Sequence, residues 1–270
     1  MCLCPWASYF GKTGRSFRIA FGGLARPLDV VDDEDIILRV GNKDLPVRLT
    51  THPRARRLSL RVDPALGCIL LVRPKSVSKS AAVAFSIDKA DWIAKSLAEL
   101  SPPIPFKDGN VIPILNKPHR LCHLPEARRG VWREDNCLFV SGDPRHIARR
   151  VKDWFREEAR RMISPMAYTL ASDINKKITH IAIRDTKSRW GSCTTNGRIS
   201  FSWRLVMTPD YVLNYVVAHE IAHLCELNHS KAFWKTVDSL TAHRPAATQW
   251  LKQKGAEMHR YGLVTRNEQE

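Results

Sequence analysis

Apolar and polar residues alternate over the first third of the chain, and this pattern predicts β-strands. Within residues 56–64, every second position from 58 to 62 carries a leucine or a valine, which is the period of a half-buried strand. An apolar run at 67–74 follows after a short turn, so the two segments together predict a hairpin. Two preceding apolar segments, 35–40 and 45–52, also predict strands.

Longer segments carry apolar residues at steps of three and four, the spacing of one face of an α-helix. Pro209 suits the start of such a helix, because the first helical turn does not need the N–H that proline lacks. Ser230 stands where it could cap the next helix. Five helices are predicted in this way, at residues 76–100, 144–171, 209–227, 230–240 and 245–260.

Short β-like segments fill the intervals between these helices. They lie within 106–140, at 179–185 and after the turn expected at Asn196-Gly197. Strands and helices together predict an α+β fold. Its predicted parts are a poorly ordered N-terminal extension (1–35), a β-rich N-terminal region with one long helix (36–142), a second α+β domain (143–265) and a short tail (266–270).

The composition is that of a globular protein. Of the 270 residues, 44% are hydrophobic and 26% are charged, and no apolar run approaches the ~18 residues that span a bilayer. The N-terminus lacks the continuous apolar core of a signal peptide. Seven cysteines, an odd number at irregular spacing, are typical of reduced thiols. We therefore expect a cytoplasmic protein with no membrane partner.

The chain is also strongly basic, with 43 lysines and arginines against 27 aspartates and glutamates and a formal net charge of +16. Such a charge permits binding to nucleic acid or to acidic partners. A basic solvated surface explains it equally well, and no nucleic-acid-binding motif is visible in the sequence. Both interpretations stay open.

The helix predicted at 209–227 contains the sequence H-E-I-A-H, formed by His219, Glu220 and His223 with two apolar residues between. Helix positions four apart lie ~40° apart around the axis and ~6 Å apart along it, so both imidazoles project from one face. Two such imidazoles can bind one zinc ion. The side chain of Glu220 is long enough to reach a water at the open position of the metal and to act as a general base.

A catalytic zinc usually has three protein ligands, and His229 is the candidate for the third. A straight helix would carry His229 out of reach of His223, so the chain must turn back between them. Asn228 tolerates the left-handed conformation that ends helices, and we expect it to make this turn. The alternative, three histidines on the surface of a helix, explains poorly why they follow an apolar stretch.

These motifs resemble those of the YgjP-like metallopeptidase domain (also known as domain of unknown function 45), a zincin family related to the SprT-like and WLM proteases. The similarity covers about residues 50–265. The matching segments are R-A-R-R-L-S-L-R-V-D-P at 54–64, residues 106–121, S-R-W-G-S-C at 188–193, H-E-I-A-H at 219–223, N-H-S at 228–230 and F-W at 233–234.

The resemblance implies a zincin-like catalytic domain at 143–265, in which the H-E-x-x-H helix lies beside a small β-sheet. It implies one zinc ion bound by His219, His223 and His229, with Glu220 as the catalytic base. The expected function is zinc-dependent hydrolysis of peptide bonds in a peptide or protein substrate.

An alternative function is that of a basic nucleic-acid-associated protein with a mainly structural zinc, acting like SprT-like relatives on proteins attached to DNA. A structural zinc normally has four protein ligands, often cysteines. Three histidines beside a glutamate therefore favour the enzyme.

The histidine spacing also matches the metzincin pattern H-E-x-x-H-x-x-G-x-x-H, but Glu226 stands in place of its glycine, which argues against that family. Glu226 either orients a ligand or faces solvent. The strand predicted at 198–206 either forms the edge of the cleft, where a peptide could add by main-chain hydrogen bonds, or lies inside the sheet.

Other residues near these motifs have less specific roles. His243 and Tyr261 are candidates for stabilising the reaction intermediate, although their spacing does not fix this. Phe233 and Trp234 are expected to pack beneath the site. Cys193 is expected to have a buried or turn-forming role rather than to act as a nucleophile.

Overall fold

The computed structural model describes residues 33–40, 43–63, 67–98, 102–186 and 189–263. Most of the predicted N-terminal extension, and the predicted tail, lie outside these residues. The chain divides into two compact units, of which one extends to Ile104 and the other spans Pro105–Gly262.

The N-terminal unit is a four-stranded sheet with two helices packed against it. The strand order is β1-β2-β4-β3, in which β3 and β4 form the predicted antiparallel hairpin and β2 and β4 are parallel. Its elements are β1 (Asp33–Val40), β2 (Lys43–Thr51), β3 (Ser59–Asp63), β4 (Cys68–Arg73), α1 (Lys79–Asp88) and α2 (Ala90–Ala98).

The single helix predicted at 76–100 is wrong in one respect, because a tight turn at Lys89 divides it into α1 and α2. The N–H of Lys89 bonds to the carbonyl of Ser86, three residues back, so the α-helical pattern is interrupted there. Ala82 of α1 and Ile93 of α2 are nevertheless buried in the same core.

The described part of the C-terminal unit contains two further sheets and four α-helices. Its strands are β5 (Val111–Ile114), β6 (Lys117–Leu124), β7 (Val131–Glu134), β8 (Cys137–Ser141), β9 (His180–Arg184), β10 (Gly191–Cys193) and β11 (Arg198–Ser202). Its helices are α3 (Ile147–Asp173), α4 (Asp210–Ala222), α5 (Lys231–Leu240) and α6 (Arg244–Lys254), with 3-10 turns at Pro144–His146, Trp203–Met207 and Gly255–Arg260.

Helix α3 forms the centre of this unit. One residue in four along it is buried, which is the apolar stripe that its sequence predicts. Its core includes Phe155, which contacts both Phe106 and Trp203. Strands β5 to β8 share this core, so residues 105–142, assigned by the sequence to the N-terminal region, lie in the same unit as the H-E-x-x-H helix.

The small sheet beside α4 has the order β10-β11-β9. Strand β11 is therefore central, antiparallel to β10 and parallel to β9. Of the two alternatives for 198–206, the internal strand is correct for β11, and Trp203–Met207 continues as a buried 3-10 turn. The outer strand nearest α4 is β10, which is not among the strands predicted from the sequence.

Candidate active site

Helix α4 is buried on every side. It begins directly after Pro209, as predicted, and ten of its thirteen residues are buried, including His219 and Glu220. A helix that is apolar all round belongs in the interior of a domain. The polar side chains of the H-E-x-x-H sequence are thus held on a rigid, fully packed element.

The three histidines converge where α4 ends. One ring nitrogen from each of His219, His223 and His229 lies within 4.8 Å of the other two. The Nε2 atoms of His219 and His229 are 3.2 Å apart. His229 can reach this point because α4 stops at Ala222 instead of continuing to 227 as predicted.

The turn that brings His229 back is closed by side chains. The Oδ1 atom of Asn228 accepts a hydrogen bond from the N–H of Ser230 at 3.1 Å. The hydroxyl of Ser230 caps α5 by accepting from the N–H of Phe233, as predicted. Asn228 does not have a positive φ, so the left-handed conformation predicted for it is wrong. Its side chain mimics a backbone turn instead.

The orientation of His223 is set by the same turn. Its Nδ1 atom lies 2.9 Å from the backbone carbonyl oxygen of Glu226. With Nδ1–H donating to that carbonyl, Nε2 is the nitrogen that can bind a metal. Glu226 thus orients a histidine through its main chain, a role that no side-chain pattern could reveal.

Burial determines the charge of the three imidazoles. It lowers the pKa of His219 well below the usual value for histidine, and the neighbouring His223 and His229 lower it further. Burial also lowers the pKa of His223, against the opposing effect of the Glu226 carbonyl, and the pKa of His229. Each of these shifts favours the neutral ring, which is the form that binds metals.

An aromatic layer supports the three rings. Phe233, which is fully buried, stacks on His223 at 4.5 Å and meets His219 and His229 edge-on. Trp234 lies 5.6 Å from the ring of His229. The prediction that Phe233 and Trp234 pack at the site is confirmed by these contacts.

Tyr215 is a further neighbour of the cluster, which is not among the residues predicted from the sequence. Its ring lies 5.9 Å from the ring of His219, edge to face. The signal was present, because Tyr215 precedes His219 by four residues and so lies on the same face of α4.

The remaining candidates make contacts elsewhere. The ring of His243 lies beside Tyr211, and the carbonyl of Tyr261 accepts a hydrogen bond from Arg204. Neither contact involves the histidine cluster. The thiol of Cys193 donates to the carbonyl of Thr194 at the end of β10.

A family model described as "YgjP-like, metallopeptidase domain" matches residues 56–254. Among solved structures, the chain is similar to the crystal structure of the metallopeptidase zymogen of Pyrococcus abyssi abylysin, with 17% sequence identity and a TM-score of 0.31. That similarity covers 34% of this chain and 94% of the other. No curated protein matches the chain. Of the helices that the structure describes, none has both the length and the hydrophobicity to cross a membrane.

Proposed function

The chain belongs to the YgjP-like metallopeptidase family, and from that premise we propose that it hydrolyses peptide bonds with one zinc ion bound by His219, His223 and His229. In this proposal Glu220 is the general base. The family makes the chain a peptidase and implies a metal ion. The observation that carries the assignment of residues is the convergence of the three imidazoles within 4.8 Å of one another.

The donor set suits zinc. Two nitrogen ligands at ~2.0–2.1 Å from one tetrahedral zinc lie ~3.3–3.4 Å apart. The Nε2 atoms of His219 and His229 are separated by 3.2 Å, close to this value. Three neutral imidazoles leave a fourth position open for water or substrate, as in catalytic zinc sites.

A bound zinc ion would supply Lewis-acid chemistry, polarising the scissile carbonyl and favouring the ionisation of a water. Glu220 accepts the proton of the attacking water and passes it to the leaving amine. Its side chain follows His219 directly and is only 1% exposed, so the proton transfer takes place away from bulk solvent. The Glu226 carbonyl and the ring of Phe233 hold His223 in position throughout.

The sheet supports a proposed place for the peptide substrate. Strand β10 is an outer strand, and its Gly191 packs directly against Glu220. An extended peptide that adds to β10 by main-chain hydrogen bonds would pass beside the general base. In this proposal β10 has the docking role that was one of the two alternatives predicted for 198–206.

The alternative role on nucleic acid rests on net charge and stays a prediction, as does the cytoplasmic location. On α3, the exposed arginines pair with acidic residues of the same helix, for example Arg160 with Glu157 and Arg161 with Glu158. The charges of these arginines are balanced within the helix, so they do not by themselves indicate a nucleic-acid ligand.

The test compares wild type with Glu220→Gln. Elemental analysis measures zinc in each purified protein, and mass spectrometry measures new cleavages in a mixture of unfolded proteins. We expect one zinc in both and cleavage by wild type alone. Absence of zinc from both, or full cleavage by the variant, would contradict the proposal.

A further inference from the structure

We propose that Gly191 is a positioning residue for Glu220: the absence of a side chain at position 191 leaves the space in which the carboxylate of Glu220 is held. The inference rests on the proposed role of Glu220 as general base. It adds a residue of β10, 29 positions earlier in the sequence, to the groups on which hydrolysis depends.

The contact between the two residues leaves no room for a methyl group. A Cβ atom built on Gly191 would lie 2.5 Å from Cγ of Glu220 and 2.7 Å from both Cδ and Oε1. Real Cβ atoms essentially never approach a non-bonded heavy atom within 3.0 Å. The three nearest atoms all belong to Glu220, so the closest conflict is with that side chain.

The backbone does not explain the glycine. Six other described glycines, among them Gly67 and Gly197, have positive φ, where residues with a side chain are strained. Gly191 is not one of them, and it pairs with Phe201 as an ordinary strand residue. Any residue could adopt its conformation, so the requirement for glycine is one of space.

If a side chain were introduced, the carboxylate would be the part that moves. Helix α4 cannot retreat, since its residues are buried on all sides. Strand β10 is held to β11, and the carbonyl of Trp190 accepts from the N–H of Ser202 at 2.8 Å. Glu220 can change its side-chain rotamer while His219 and His223, on the same helix, keep their places.

The chain offers a matched control in Gly255. It is buried and in helical conformation, and an added Cβ would lie 3.5 Å from the ring of Trp190, an ordinary contact. Gly255→Ala therefore makes the same substitution in the same neighbourhood without reaching Glu220.

The first experiment measures zinc content and hydrolysis of the unfolded protein mixture. We expect Gly191→Ala to keep one zinc and to lose hydrolysis by at least about a hundredfold, the usual contribution of a general base. Gly255→Ala should match wild type in both. If Gly191→Ala hydrolysed at the full rate while Glu220→Gln was inactive, this inference would be wrong and the proposed function would stand. Full hydrolysis by Glu220→Gln would overturn the proposed function and the inference with it.

The second experiment is independent of activity and uses thermal unfolding of the metal-free proteins. We expect Gly191→Ala to lower Tm by roughly 2–10 °C, as overpacking does. In a Glu220→Ala background it should lower Tm much less, because the three conflicting atoms are gone. An equal loss in both backgrounds would overturn the inference. If Gly191→Ala does not fold, the double variant is still expected to fold, and its failure would also overturn the inference.

Discussion

The Nδ1 atom of His223 lies 2.9 Å from the backbone carbonyl oxygen of Glu226. The turn that follows α4 therefore does two things at once. It returns the chain so that His229 reaches the cluster, and it holds Nδ1 of His223 so that Nε2 is the nitrogen left to bind a metal. Because the acceptor is a main-chain atom, the side chain at position 226 can vary while the interaction persists.

We therefore expect Glu226→Ala to keep both zinc and hydrolysis, with a change in unfolding free energy within about 0.5 kcal/mol. Zinc affinity is measured by competition with a chelator. His223→Ala is the control that should lose zinc. A weakening of zinc binding in Glu226→Ala comparable to that control would mean that the carboxylate, rather than the carbonyl, supports the site.

Removal of zinc is expected to destabilise the wild-type protein. A metal that binds only the folded state adds about 2.7 kcal/mol when present at 100 times its dissociation constant. Addition of a chelator should therefore lower the Tm of wild type. His229→Ala should show a much smaller response, because one of three ligands is missing.

The matched control for that experiment is His180→Ala. It removes an exposed histidine of β9 and should respond to the chelator as wild type does. If His229→Ala bound zinc with unchanged affinity, His229 would not be a ligand.

Much of the fold could be predicted because hydrophobic periodicity is a local property. The buried stripe of α3 and the hairpin of β3 and β4 both follow from it. The position of a strand within its sheet does not follow from periodicity. Strand β11 would show the same alternation whether it was central or outermost. Periodicity also does not show that residues 105–142 belong to the C-terminal unit, because that depends on long-range packing.

The candidate site could be predicted to the extent that it depends on spacing along one helix. His219, Glu220 and His223 follow from the helical period, and His229 follows from the need for a third ligand. The left-handed conformation predicted for Asn228 is wrong. The N–H of Ser230 donates a hydrogen bond to the Asn228 side chain, and this interaction competes with the left-handed conformation. The approach of Gly191 to Glu220 joins distant parts of the chain and leaves no local signal.

Phe233 is expected to serve both stability and metal binding. It is fully buried and contacts all three imidazoles, so Phe233→Ala should cost about 3–5 kcal/mol of unfolding free energy. It should also weaken zinc binding, because the rings of His223 and His229 lose the surface that holds them.

Phe155→Ala provides the comparison for this prediction. Phe155 is equally buried, and its aromatic contacts lie with Phe106, Trp154 and Trp203. A similar loss of stability with unchanged zinc affinity is expected there, measured at a temperature where both variants are folded. Equal weakening of zinc binding in the two variants would show that Phe233 acts through stability alone.

The charge of Arg204 is buried, so we expect the fold to be sensitive to the loss of its counter-ion. It is buried, its guanidinium bonds to Asp185 and to the carbonyl of Tyr261, and it lies 4.1 Å from the ring centre of Trp203. Burial lowers the pKa of Arg204, and the carboxylate of Asp185 opposes that effect. Asp185→Ala would leave the buried cation without its carboxylate.

We expect Asp185→Ala to lower the free energy of unfolding by about 1–3 kcal/mol, toward the lower end because Asp185 is 33% exposed and screened by solvent. Arg204→Met should cost less, since it removes the buried charge and keeps an apolar chain against Trp203. In the Arg204→Met background, Asp185→Ala should have almost no further effect. Urea unfolding of the four proteins measures this coupling, and equal losses from Asp185→Ala in both backgrounds would mean that the carboxylate acts on another group.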